Sequence, residues 1–264
     1  AVASTDAFFI AFTIPNTLRM LLGEGAVSNA FIPVFTDVRT QQGQAQARAF
    51  LARFIAALGL LLLLTSLAGM LFARPLALAY AGGFVAEPER FELVVWLTRW
   101  LFPFLGLAGL AALATGVLNA SGHFGVAAFA PALLNVGMIA APFTLLPLAY
   151  ALGLDPIASL AFGALLGGAL QLVVQLFPLR TLGLLPRPVI DLRSPDVRRA
   201  LGLMGPLVLV LGVYQLNMML SRLFASFLPA GAQSYLNYGY RIIEVPQGMF
   251  ALAVASAALP TPSR

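Results

Sequence analysis

Long apolar runs follow one another along this chain, interrupted only by short clusters of Arg, Glu, Pro and Gly. Crossing the hydrocarbon core of a bilayer takes about 20 helical residues. Inside that core every backbone N–H and C=O must be paired internally, so repeated runs of this length confine the chain to a bundle of membrane helices. Composition agrees: of 264 residues, 60% are hydrophobic and 9% charged, whereas a soluble domain carries about 25% charged residues. No interior available at this length could hide so much apolar surface from water.

Breaks at Gly, Pro and charge clusters predict seven helices, over residues 5–37, 49–72, 92–119, 125–148, 157–180, 201–228 and 232–260. The fold class is therefore an all-α polytopic membrane protein. The first, third, sixth and seventh runs exceed a perpendicular crossing, and tilt or kinks at Pro15, Pro103 and Pro246 accommodate the excess. Orientation follows from arginine, which is enriched in cytoplasmic loops. Arg39, Arg48 and Arg53 follow the first helix, Arg180, Arg187, Arg193, Arg198 and Arg199 the fifth, and Arg264 the seventh, so these connections are expected in the cytoplasm. Glu87, Glu89 and Glu92 beside Arg90, and Asp155, mark the opposite side.

The longest polar connection, rich in both Pro and charge, divides the chain into a first lobe over 1–181, a linker over 182–200 and the start of a second lobe over 201–264. AVSNAFIP at 26–33 and AVASAALP at 253–260 align without gaps as a faint internal repeat, and facing repeats around a midplane site are a common transporter plan. The sequence begins just before one helix and stops just after another, so it reads as cut at both ends.

Several function classes drop out. With no cysteine, disulfides, cysteine-bound zinc and thiol nucleophiles are excluded. The single His123, in Gly-His-Phe-Gly, reads as an interfacial loop residue. The net charge of +5 comes from arginines lying mostly between apolar runs, not from a basic stripe with interleaved aromatics, so no nucleic-acid partner is expected. A phosphate-binding Gly-rich loop is missing, and the intramembrane acids are too far apart to hold Mg²⁺. Neither an enzyme nor a cofactor is expected.

The informative residues are polar ones inside apolar helices. An ionisable side chain at mid-bilayer depth costs about 2.5–3.5 kcal/mol, so it normally faces a bundle interior or aqueous cavity. In IPNTLRMLLGEGAVSNAF, Thr13, Asn16, Arg19 and Glu24 fall within a sector roughly 140° wide, enough for one wall of a polar path. The alternative is that Arg19 snorkels to the headgroups and Glu24 pairs with it. In the last helix Asn237, Arg241, Glu244 and Gly248 form one stripe. Either Arg241 and Glu244 are a structural pair, or two arginines from separate helices make a cationic pocket whose guanidinium forks suit phosphate oxygens. Gln171 and Gln175 read as helix–helix glue, Arg74, Arg99 and Arg222 as snorkelling anchors near helix ends, and Asp6, beside Ser4 and Thr5, as an N-cap of the first helix.

Two stretches carry a family resemblance. TDAFFIAFTIPNTLRMLLGEGAVSNAFIPVF at 5–35 closely resembles the second transmembrane helix of the MurJ (MviN) family, and YGYRIIEVPQGMFALAVASAALPTPSR at 238–264 resembles the eighth. The spacing between them fits as well, so the resemblance covers essentially the whole chain. It implies the fourteen-helix, two-lobe fold of the multidrug/oligosaccharidyl-lipid/polysaccharide exporter superfamily, of which helices two to eight would stand here. It also implies a multi-pass protein of the bacterial cytoplasmic membrane that moves lipid II, the undecaprenyl-diphosphate-linked peptidoglycan precursor, from inner to outer leaflet by alternating access. Membrane lipid and the peptidoglycan-synthesis machinery are the implied company. The family's cavity arginines fall on Arg19 and Arg241, and its accompanying polar and acidic positions on Asp6, Asn16, Glu24 and Glu244.

Two departures stand out. Nothing here corresponds to the family's first helix or to its ninth to fourteenth, and Ser221-Arg222 replaces an acidic or amide residue that several members use as a sodium ligand. Rival readings are an O-antigen-type oligosaccharide-lipid flippase, a drug exporter of the same superfamily, and a non-transporting scaffold for cell-wall synthesis. The GEGA-x-S-N-A-F-I-P run favours MurJ over the first two, and arginines on two separate helices have no use in a scaffold.

Overall fold

The computed structural model describes residues 2–258, with side chains described except at 23–26, 28, 29, 245 and 251–258. The first rod is continuous from α1 (Val2–Arg19) through a π-helical segment (Met20–Val27) into α2 (Ser28–Gln42). It ends five residues beyond the expected 37, at Gly43, whose φ of 87° is a conformation that favours glycine and turns the chain into α3 (Gln44–Leu71). Stacked rings hold this hairpin together: Phe31 lies 5.6 Å from Phe50 and 4.9 Å from Phe54. The opposite face of α3, with Leu63, Leu64 and Leu67, is exposed, as a lipid-facing surface should be.

A short helix, α4 (Ala73–Ala81), and a 3₁₀ turn (Gly82–Ala86) occupy the connection between the second and third expected helices. Helices α5 (Pro88–Leu101) and α6 (Pro103–Ala120) form the third rod, interrupted at the expected Pro103. Next come α7 (Phe124–Thr144), a single-turn extension α8 (Leu146–Ala151) and α9 (Ala158–Thr181). Close approach of α7 and α9 depends on glycine: a Cβ on Gly137 would lie 2.6 Å from the Gly167 Cα, and one on Gly167 would lie 2.8 Å from the Leu134 Cα. Small residues do this work in membranes, where no hydrophobic force separates helix from lipid. Gln175 behaves as glue, its Nε2 donating to Thr115 Oγ1 on α6 at 2.7 Å. The last two helices are α10 (Pro195–Ala225), which starts at Pro195 and not at 201, and α11 (Ala232–Ala258).

Helix is the only regular structure among the described residues, and five spans are long and apolar enough to cross a membrane. The first rod and α11 are not among the five. They are the two that carry Asp6, Arg19 and Glu24, and Arg241 and Glu244.

Alternating helices give the bundle two polar ends. At one, Arg199 meets Asp37 at 3.0 Å, Arg53 meets Asp191 at 3.3 Å, and the Val189 N–H donates to the Ala52 carbonyl at 3.1 Å. The other end gathers Asp6, Arg90, Asp155, Ser226 and Gly231.

Two outcomes are expected. Gly167→Leu should force α7 and α9 apart and lower the midpoint of thermal unfolding in detergent, since overpacking costs about 1–3 kcal/mol or more; an unchanged midpoint would contradict the packing. In the cysteine-free chain, Ala86→Cys should react with an impermeant thiol reagent in intact spheroplasts, and Arg187→Cys only after lysis. The reverse pattern would invert the topology.

Candidate functional site

Between α1 and α11, with α10 closing one side, lies a cavity of about 110 Å³. Its α1 wall carries Phe9, Thr13 and Asn16, of which Thr13 and Asn16 belong to the expected polar face of Thr13, Asn16, Arg19 and Glu24, and the α11 wall carries Asn237, Arg241 and Glu244. Arg19 is not itself on the wall, but its Nε donates to Asn16 Oδ1 at 2.8 Å. Arg241 donates to Glu244 Oε2 at 3.3 Å, with side chains 75% and 59% exposed. That bond engages a single nitrogen of the guanidinium. Glu24 sits in the π segment, and its side chain lies outside the described residues.

Arg222 is not the snorkelling anchor that its place near a helix end suggested. It is 4% exposed and knotted to α11: Nη1 donates to the Gln233 carbonyl at 3.2 Å and to Gln233 Oε1 at 3.4 Å, and Nη2 donates to Asn237 Oδ1 at 3.2 Å. Gln233 Nε2 answers with a 2.7 Å bond to the Arg222 carbonyl. A buried guanidinium costs several kcal/mol in desolvation unless its donors are met; a turn of α11 supplies acceptors for Nη1 and Nη2, and Nε has none among the described residues.

At the polar end containing Gly231, Asp6 is fully buried. One oxygen, Oδ2, accepts from Arg90 Nη2 and from the Gly231 N–H, both at 2.7 Å; Oδ1 accepts from the Ser234 N–H at 2.9 Å and from Ser234 Oγ at 2.6 Å. Four bonds use up the acceptor sites of a carboxylate. The capping chemistry expected of Asp6 is present, but the helix it serves is α11, not its own, because Asp6 lies a full turn inside α1. A carboxylate at a helix N-terminus meets orphan N–H groups and the positive end of the dipole. Arg90, whose side chain is 6% exposed, stacks over the Phe84 ring at 3.6 Å and also reaches Glu87 at 3.2 Å. Beside it the Gly83 N–H donates to Ser226 Oγ at 2.9 Å. Here backbone meets backbone: a Cβ on Gly83 would fall 2.3 Å from the Ser226 carbonyl oxygen.

Of the six expected site residues, the structure brings Asn16, Arg241 and Glu244 to one cavity and Arg19 within reach of it through Asn16. Asp6 belongs to the seam at the end of the bundle. Sequence reasoning missed Arg90, Ser234, Gly83 and Arg222. No sequence signal leads from Arg90 to Asp6, because Glu87, Glu89 and Glu92 beside it already offer partners and Glu87 is one of them.

Comparison with known proteins is consistent along the whole chain. The family profile described as "Lipid II flippase MurJ" matches residues 1–264. A Burkholderia cenocepacia protein named lipid II flippase MurJ is 37% identical over 98% of this chain and 50% of its own length. A Vibrio cholerae protein named probable lipid II flippase MurJ is 36% identical over 100% of this chain and 51% of its own. A solved structure titled "Lipid II flippase MurJ, inward closed conformation" superposes with a TM-score of 0.74 at 25% identity, over 97% of this chain and 51% of that one. The chain thus spans about half the length of the relatives it matches.

Removing one partner of a buried ion pair costs about 3–5 kcal/mol, because the other charge stays buried. Asp6→Asn should therefore lower thermal stability sharply, and adding Arg90→Met, which removes the stranded cation, should recover much of the loss. A single mutant that melts like wild type would show that the seam carries no such energy.

Proposed function

Since the chain belongs to the MurJ lipid II flippase family, we propose that it supplies about half of a flippase that carries lipid II from the inner to the outer leaflet of the bacterial cytoplasmic membrane. In this reading the helices up to Thr181 form one lobe, the linker expected over 182–200 is shortened to 182–194 by the start of α10 at Pro195, and α10 and α11 open the second lobe, with the cavity on the boundary. The observation that supports it most is that Asn16, held by Arg19, and Arg241 stand on facing walls of one cavity. Arg241, joined by Arg19 once the latter turns from Asn16 into the cavity, would offer guanidinium forks that match the oxygens of a diphosphate bidentately. Glu244, already on Arg241, limits repulsion while the cavity is empty, and Glu24 is assigned the same role beside Arg19.

The cavity must change size to do this. Small-molecule sites usually enclose about 300–1,000 Å³, well above the 110 Å³ between these helices, so in this reading the helices part to admit a headgroup. They part more easily at the Asp37 end. There the Arg199–Asp37 pair is 57% and 42% exposed, and such pairs contribute about 0–1 kcal/mol. At the other end the buried Asp6 network resists. Loading from the cytoplasmic side with the outer seam closed, then release after that seam breaks, is alternating access.

The test uses a complete flippase carrying this chain. Each lost charge-assisted contact should weaken lipid II binding about ten- to a hundredfold. Arg241→Ala should fall in that range, and Arg19→Lys, which keeps the charge and loses the fork, should lie between wild type and Arg19→Ala. Binding is measured on purified protein, and leaflet accessibility of lipid II in cells depleted of their own flippase. If well-expressed Arg19→Ala and Arg241→Ala proteins both flip at the wild-type rate, the arginine clamp is wrong.

A further inference from the structure

The Arg222 knot does more than satisfy a buried charge. A guanidinium only donates, so both amides that meet it must turn their oxygens toward it. For Asn237 this fixes the amide: Oδ1 is bound by Arg222 Nη2, and the two N–H groups of Nδ2 point away from the guanidinium. No protein acceptor takes those N–H groups among the described residues. Asn237 is half-buried and lines the cavity, so the cavity is where an acceptor would have to be. Its neighbour one turn along the same face of α11 is Arg241.

Resting on the reading of the cavity as a lipid II site, we propose that Asn237 is a further substrate-binding residue, donating through Nδ2 to a phosphoryl oxygen of the diphosphate, and that Arg222 is the positioning residue that aims it. Bonding from a cation to the amide oxygen also polarises the amide and makes its N–H groups stronger donors. Arg222, buried at the cavity wall, thus lends its charge through Asn237, while Arg241 meets the ligand directly. A phosphoryl oxygen is the acceptor favoured here, because the amide stands one helical turn from a guanidinium and in front of another, a field that selects anionic oxygen over a neutral hydroxyl or carbonyl.

Asn237→Asp separates this role from a structural one. Aspartate has the same shape and pairs with Arg222 at least as well, so thermal stability should be equal or higher, yet it has no N–H to donate and adds a negative charge. In the complete protein, binding of both lipid II and undecaprenyl diphosphate should weaken by about tenfold or more. Arg222→Met should weaken both less, and Arg222→Met with Asn237→Ala should be no worse than Asn237→Ala alone, because Arg222 acts through Asn237. Wild-type affinity in a stable Asn237→Asp protein overturns the proposal, and so does a loss confined to lipid II, which would place the acceptor on the sugar or peptide. If wild type binds neither lipid, the flippase reading fails and this inference with it; if wild type binds and only Asn237→Asp is indifferent, this inference fails alone.

Discussion

A carboxylate with no exposed surface, inside a protein whose solvent is lipid, must find every partner in the chain. Asp6 does so by drawing together three segments that are distant in sequence: Arg90 at the start of α5, and Gly231 and Ser234 at the start of α11. Left unpaired, such a charge would cost far more than one ordinary contact returns, so the positions of α1, α5 and α11 at this end are fixed jointly. The Gly83–Ser226 contact fits only once that register is set.

The same constraint organises the cavity. Apolar side chains can face lipid or each other with little difference in energy, which is why Leu63, Leu67 and Phe143 are exposed without penalty. Polar side chains have no such freedom. Asn16 and Arg19 on the first rod, Arg222 on α10, and Asn237 and Arg241 on α11 therefore collect at the one place where they can partner each other or water. It is these polar positions that are gathered, not the whole helices that carry them: α11 keeps Ile242, Ile243 and Phe250 exposed.

Much of this was legible in advance. Run length gave the helices, and helical spacing gave the polar face of Thr13 and Asn16 and the stripe from Asn237 to Glu244, since both follow from local geometry. What stayed hidden depends on which segment meets which. Asp6 was assigned the right chemistry on the wrong helix, because capping is usually local and here the recipient helix begins more than two hundred residues later. Arg222 was misread because distance from a helix end says where a side chain could reach, not what waits there. The short α4 and the π segment after Arg19 left no distinct periodic trace; a π turn adds one residue per turn and slips the face by a step that an α-helical wheel does not register.

One consequence concerns α11 itself. Its first turn borrows its cap from another helix, so any movement that withdraws Asp6 leaves the Gly231 and Ser234 amides without acceptors. Opening that end is then coupled to fraying of the very helix that, two turns further on, bears Arg241. The first turn of α11 becomes a loaded joint: ordered while the end is shut and loosened when it opens. Its cost of loosening sets a threshold that differential binding of a cargo has to exceed before the two conformations change places.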